Sequence, residues 1–229
     1  MQRAYILRVK PFRDRQYLVN LFAEDAGHIA SIARVSSGKS QSFQIADLQL
    51  FQLVWIDLKG RHDLKRLTQL EKNTKVSTLS TEHKLAAFYI NELCLRLLPQ
   101  SEMTSELFDS YDQLMGSLSD DAPLRTCLRY FELNLLDHLG VMPNCLSDEQ
   151  GLDVLECEKY FLILNQMFRL DASQSDTSYS GAMLLRLYQQ KLILSDWRDA
   201  QRLMYVLLQP LLGKKPLASR DLMRQYKGE

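Results

Sequence analysis

The sequence predicts an α+β protein: a small closed or partly closed β-barrel followed by a mainly α-helical domain. Two observations predict it. About five short apolar runs with turn residues between them fall before residue 80, and from Ser80 the apolar period changes from two to 3.6. A third is length: 229 residues with 46% hydrophobic and 24% charged side chains suit one large or two ordinary domains, since domains run ~100–200 residues. The expected division is 1–79 for the barrel and 80–229 for the helical part, with an irregular insert around 141–179.

The strands come first. Arg3–Lys10 is rich in Tyr, Ile, Leu and Val, and Pro11 to Asp14 interrupts it. Gln16–Ala23 resumes, and Glu24-Asp25-Ala26-Gly27 is a turn. His28–Val35 follows, broken by Ser36-Ser37-Gly38. Asp47–Leu58 alternates most clearly, with Leu48, Leu50, Val54, Ile56 and Leu58 on one face, and Leu64–Leu70 returns after Lys59-Gly60-Arg61.

The helices follow. Thr81–Leu98 carries Leu85, Phe88, Tyr89, Leu93 and Leu97 on one stripe and stops at Pro99. Ser105–Leu118 carries Leu107, Phe108, Tyr111, Leu114, Met115 and Leu118. Asp120 or Asp121 caps the next helix, which holds Leu124, Leu128, Phe131, Leu135, Leu136 and Leu139 and ends at Gly140. Tyr160–Leu164 reads as a strand and Asp171–Ser180 as a polar loop. Helical pattern returns at Gly181–Leu194, then after a cap at Ser195 or Asp196, with Pro210 kinking or ending that helix. Ser219 caps a last short helix, Arg220–Lys227.

Charge is patterned although 28 basic residues balance 28 acidic ones. Residues 1–80 are net +6, residues 81–180 net −11 and residues 181–229 net +5. Two basic surfaces around an acidic body are expected. No apolar run is long enough to span a membrane, and the N-terminal apolar run is too short for a signal peptide, so the expected compartment is the cytoplasm. Cys94, Cys127, Cys145 and Cys157 lack metal-site spacing.

No catalytic motif is present: no histidine pair at i+3 or i+4, no G-x-S-x-G, no Walker lysine and no G-x-G-x-x-G. Asp109 and Asp112 read as the wet face of a helix. Arg13, Arg15, Arg34, Lys39, Arg61, Lys65 and Arg66 lie in or beside the barrel turns. With aromatic neighbours they form the combination that binds single strands, where cations neutralise phosphate and rings stack on bases; the alternative is aromatics inside the barrel and ordinary surface cations. Lys214, Lys215, Arg220, Arg224 and Lys227 form a second basic cluster, or a helix end whose cations suit the dipole. Arg125 and Arg129 are four apart beside Leu128 and Phe131. They either capture an acidic peptide with an aromatic anchor, or Arg129 simply pairs with Glu132.

Three stretches carry a family resemblance: Tyr89-Ile90-Asn91-Glu92-Leu93; Leu128-Arg129-Tyr130-Phe131-Glu132-Leu133 with Leu136-Asp137-His138-Leu139-Gly140; and Pro210 to Leu222, reading P-L-L-G-K-K-P-L-A-S-R-D-L. Together with the opening Gln2–Leu7 and Leu21–Glu24, they resemble the bacterial RecO family of recombination mediators. That resemblance implies an OB-type barrel and a helical domain without an active site or cofactor. It implies binding and annealing of single- and double-stranded DNA in the cytoplasm, at the nucleoid. It also implies capture of the acidic C-terminal tail of single-stranded DNA-binding protein, through Arg129 by position, and work with RecR in loading RecA. Some members bind zinc through two C-x-x-C pairs; only Cys145 and Cys157 stand in that region here, so no zinc is expected. Outside the resemblance, two other classes are a metal-dependent nuclease using the acidic helices and a protein-only adaptor with a barrel.

Overall fold

The computed structural model describes residues 1–35, 44–73, 79–120, 123–163 and 167–228. The expected break at Ser36-Ser37-Gly38, the candidate Lys39, the candidate cap Asp121 and Leu164 lie outside the described residues.

Five strands close a barrel: β1 (Gln2–Arg13), β2 (Gln16–Ala23), β3 (Gly27–Arg34), β4 (Leu53–Lys59) and β5 (Leu64–Lys72). Their order is β1-β2-β3-β5-β4, with β4 returning to β1. The β3–β5 pair is parallel and the rest are antiparallel. Closure removes the exposed edges that a five-stranded sheet would otherwise present. Ala4, Ile6, Val19, Leu21, Ile29, Ala33, Val54, Ile56 and Leu67 fill the interior. The expected fold class, an OB-type barrel followed by helices, is the observed one.

Two local expectations change. Pro11 does not end β1, which runs to Arg13. Pro11 pairs with Tyr17 just where the register shifts between Pro11 and Arg13, a bulge site that tolerates the missing N–H. The run from Asp47 is not strand before Leu53. Ile45–Asp47 forms a single 3₁₀ turn and Phe51 takes φ 65°. Leu48 and Leu50 nevertheless pack on the barrel core, so their alternation records burial without a ladder.

Among the described residues six α-helices follow: α1 (Thr81–Leu97), α2 (Ser105–Ser119), α3 (Leu124–His138), α4 (Gly181–Tyr188), α5 (Trp197–Leu212) and α6 (Ala218–Lys227). Between α3 and α4, β6 (Lys159–Ile163), β7 (Met167–Leu170) and β8 (Tyr179–Ser180) make a small sheet in the order β7-β6-β8. Pro210 lies inside α5, which ends at Gly213 with φ 65°. By compactness, residues 1–122 with 214–229 form one unit and residues 123–213 the other.

In the first unit, helices cover half of the barrel's outer surface. Ala4–Leu7 of β1 and Val19–Ala23 of β2 are buried on both faces. Tyr5, opposite Phe22, packs with Phe108 and Tyr111 of α2, with ring centroids 4.9 to 5.9 Å apart. The register of β1 slips between Ile6 and Arg8, and such a bulge sets one residue outside the ladder. The carbonyl of Leu7 accepts instead from Asn91 Nδ2 at 3.0 Å, and Asn91 Oδ1 accepts from Tyr111 Oη at 2.5 Å. Ala86, Ala87, Ile90 and Leu93 of α1 are buried, while the exposed Phe88 packs edge-on against Phe51. Of the expected stripe, Tyr89 and Leu93 are buried, Leu85 and Leu97 are half-buried and Phe88 is exposed.

Candidate nucleic-acid interface

Further along the strands, the barrel's outer surface is exposed and basic among the described residues. Along it Lys10 lies opposite Leu18, Leu18 opposite Ile32, Ile32 opposite Arg66, and Arg66 opposite Lys59. This row crosses all five strands. Its neighbours Val19, Ala33 and Leu67 point into the core, so by the two-residue alternation of strands the row points outward. The three cations are exposed and Leu18 and Ile32 are half-buried. A second row, Arg13 opposite Gln16 opposite Arg34, lies beside it at the strand ends. The bulge after Pro11 puts Arg13 on the same side as Lys10. Among the described residues, no carboxylate lies within ion-pair distance of Arg8, Lys10, Arg13, Arg34, Lys59 or Arg66. Arg13 rests on the exposed ring of Phe12, 5.2 Å from its centroid.

The sequence candidates are therefore brought together in part. Arg13, Arg34 and Arg66 share the open face, with Arg15 in the β1–β2 turn beside it. Arg61 is exposed in the β4–β5 hairpin, and Lys65 is half-buried with its Nζ on the Gly60 carbonyl at 3.3 Å. Arg8, Lys10 and Lys59 belong to the face but were not singled out in the sequence. Their alternation with buried neighbours was the available signal.

Acidic side chains are used on the covered half. Arg3 forks onto Glu24 at 2.7 and 2.9 Å and reaches Asp109 at 3.2 Å and Asp112 at 3.4 Å. Asp112 also accepts from Tyr5 Oη at 2.5 Å. The Arg3 guanidinium holds the Glu24 carboxyl below its ordinary range, and burial with the Asp112 bond pushes the Tyr5 hydroxyl up. Asp109 is exposed, as expected, and Asp112 is half-buried, and both carboxylates reach Arg3. A metal bound there would have to displace a guanidinium, which weighs against the nuclease alternative. Among the described residues no three His, Cys, Asp or Glu side chains cluster as metal ligands. Cys145 is buried, its thiol pushed up to about 12 by burial, and Cys157 is exposed.

The C-terminal cluster is presented by α6. The helix is not capped by Ser219, which lies inside it. Glu92 of α1 caps it across space, accepting from Ala218 N at 3.0 Å, Ser219 N at 2.9 Å and Ser219 Oγ at 2.7 Å. One turn on, Arg96 donates to the carbonyls of Lys215 and Pro216 at 2.9 and 3.3 Å. Lys214, Lys215 and Arg224 are exposed, whereas Arg220 is half-buried over the Tyr89 ring at 5.9 Å.

In the second unit, Arg129 pairs with Glu132 at 2.7 Å, the side chains being 11% and 1% exposed. Leu128 and Phe131 are 9% and 1% exposed, so they pack the unit and offer no surface in this conformation. Arg125 is exposed, with its guanidinium 5.4 Å from the centroid of Trp197.

Residues 1–74 match the family description Recombination protein O N terminal, and residues 82–149 match Recombination protein O C terminal. The DNA repair protein RecO of Alteromonas mediterranea is 32% identical over 223 residues, spanning 96% of this chain and 94% of that protein. Those of Cellvibrio japonicus and Coxiella burnetii are 33% and 31% identical, each over at least 95% of both chains. The chain belongs to the RecO family. Its relatives are named DNA repair proteins, and no helix among its described residues is long and apolar enough to cross a membrane. The stretches that carried the resemblance have structural work here. Asn91 satisfies the Leu7 carbonyl, Glu92 and Ser219 dock α6, and Arg129 meets Glu132 within α3.

Proposed function

We propose that the chain is a recombination mediator without an active site of its own. It binds single- and double-stranded DNA on the open face of the barrel, with Arg13, Arg15, Arg34 and Arg66 from the sequence and Arg8, Lys10 and Lys59 beside them; Lys39, Arg61 and Lys65 are the further candidates for the same strand. The C-terminal Lys214, Lys215, Arg220 and Arg224 hold a second strand, so that screening of phosphate repulsion lets complementary strands anneal. The stretch of α3 that holds Arg125, Leu128, Arg129 and Phe131 captures the acidic tail of single-stranded DNA-binding protein, with the exposed Arg125 as its accessible cation. With RecR, it helps load RecA onto the coated strand, in the cytoplasm at the nucleoid. The observation that carries this reading is the pair of outward rows whose cations have no carboxylate partner among the described residues.

Salt dependence tests it. Each phosphate neutralised on a single strand adds ~0.7 to the slope of log affinity against log salt. Lys10→Gln with Arg66→Gln should flatten that slope by ~1.4 and slow annealing of complementary oligonucleotides. An unchanged slope and an unchanged annealing rate would remove the barrel face from the proposal. Arg125→Glu should weaken tail capture and leave the slope on bare DNA intact. Arg129 is the poorer probe: stripping Glu132 of its cation leaves a buried charge, a change that costs ~3–5 kcal/mol of stability.

A further inference from the structure

The cations of the barrel face account for phosphate and leave the bases without a partner. Most ring side chains of the barrel are used in packing: Tyr5 is buried against α2, Tyr17 packs on the core and Phe51 meets Phe88 edge-on. Phe12 is different. It is 46% exposed near the end of β1, beside the turn into β2. That exposure is built into the backbone. Pro11 pairs with Tyr17 and Arg13 with Gln16, which leaves Phe12 between them as the extra residue of the bulge. Successive strand residues normally point to opposite faces. Here the Arg13 guanidinium rests over the ring of Phe12, 5.2 Å from its centroid, so the two side chains share a side. The bulge has turned an aromatic ring out of the alternation and onto the face that carries Lys10 and Arg13.

The surroundings of the ring favour a nucleic-acid strand. Arg15 follows in the turn, with φ 52°, and is exposed like Arg13. Asp14 of the same turn is exposed and makes no ion pair with either arginine among the described residues. Trp55 on β4 is nearly as open, at 42%, but it lies opposite Arg3 and Glu71, where Arg3 already holds Glu24, Asp109 and Asp112. The phosphate of a base resting on Trp55 would meet carboxylates; that of a base resting on Phe12 would meet Arg13, Arg15 and Lys10. We propose that Phe12 is the base-stacking residue of the barrel face, its ring taking an unpaired base while Arg13 pairs with the adjoining phosphate. A base inside a duplex is already stacked and paired, so this contact makes the face prefer single strands. The inference rests on the barrel-face reading of DNA binding and adds to it the recognition of unpaired bases.

The test titrates the full chain with labelled probes of equal length, read by fluorescence anisotropy over a salt series: a thymidine oligonucleotide, its abasic counterpart with the same phosphates and no bases, and a duplex. The wild type should bind the thymidine strand more tightly than the abasic one. Phe12→Ala should bind the thymidine strand ~tenfold more weakly, the loss of one stacked base. It should bind the abasic strand and the duplex as the wild type does, with an unchanged salt slope, because no phosphate contact is lost. Phe12→Trp should restore binding of the thymidine strand. Phe12 is exposed, so alanine removes no core packing, and an unchanged thermal melt confirms the fold. If Phe12→Ala keeps the full preference for thymidine over the abasic strand, the stacking role is overturned and the barrel face stands. If it weakens all the probes alike, Phe12 only positions Arg13 and stacking is again overturned. If the wild type binds none of the probes, this inference and the barrel-face reading fall together.

Discussion

Replacing Glu92 by alanine should release α6 from α1 without unfolding the barrel. The carboxylate accepts three hydrogen bonds at the start of α6, two from backbone N–H groups and one from Ser219 Oγ. Loss of an N-cap costs ~1 kcal/mol, and loss of a negative charge at a helix N-terminus a further ~0.3–1 kcal/mol. Arg96 keeps its two carbonyl acceptors but loses the partner 3.8 Å away. The expected local cost is therefore ~2 kcal/mol, or about thirtyfold in the opening equilibrium of α6. Hydrogen exchange reads it directly: α6 amides should exchange about thirtyfold faster while those of β2 and β3 keep their protection. Unchanged exchange in α6 would refute the cap across space, and equal acceleration in the barrel would refute local docking. The pH dependence has a defined sign. Burial opposes ionisation of Glu92, but the bonds from Ser219 and Ala218 and the charge of Arg96 outweigh it, so its carboxyl sits below the ordinary 4.5. The contribution is complete above that value and is lost as pH falls through the lower, folded one.

Three further outcomes follow from the same unit. Asn91→Ala strands the buried Leu7 carbonyl, and at ~1–3 kcal/mol for an orphaned group denaturant unfolding should show a loss of ~1–3 kcal/mol; a loss no larger than that of an exposed control would mean water replaces the amide. Gly27→Ala places a Cβ 1.9 Å from the Glu102 carbonyl oxygen at φ 62°, so the thermal midpoint should fall sharply, and an unchanged midpoint would contradict the close approach of β3 to residues 98–104. His28 is buried between Asn20 Oδ1 and the Leu98 carbonyl, and desolvation, aided by Arg8, holds its pKa below 6.5. A lowered histidine pKa favours the folded state fully above 6.5 and progressively less below it, so His28→Gln should flatten the acid side of the melting-temperature profile.

How far the sequence could be read depends on the range of the interaction. The barrel was legible because alternation is local, and the unbroken apolar run Ala4–Leu7 followed by alternating Arg8, Val9 and Lys10 even marks where β1 passes from covered on both faces to open on one. All six apolar residues expected on α2 are buried. On α1 the stripe holds for Tyr89 and Leu93, while the small Ala86 and Ala87 are also buried and carry no signal by size. The return of α6 to the first unit was not legible, because Glu92 and Ser219 are 127 residues apart and nothing local pairs them. At the candidate interface, residue type drew attention to turn cations such as Arg13 and Arg34. The strand cations Lys10 and Lys59 emerge only once register sets them in one row with Arg66.

That row also explains how a chain of zero net charge presents a basic surface. The three carboxylates Glu24, Asp109 and Asp112 converge on the single cation Arg3, on the half of the barrel that α2 covers. There the cluster carries excess negative charge against the helix, not against the open face. Among the described residues, Lys10 on β1, Arg34 on β3 and Arg66 on β5 have no carboxylate within ion-pair distance. Balanced composition removes long-range attraction between a polyanion and the whole molecule, but within about 10 Å, the screening distance at ~0.1 M salt, a strand responds to the face it meets. Local pairing, set by which half of each strand the helices cover, decides the sign of that face.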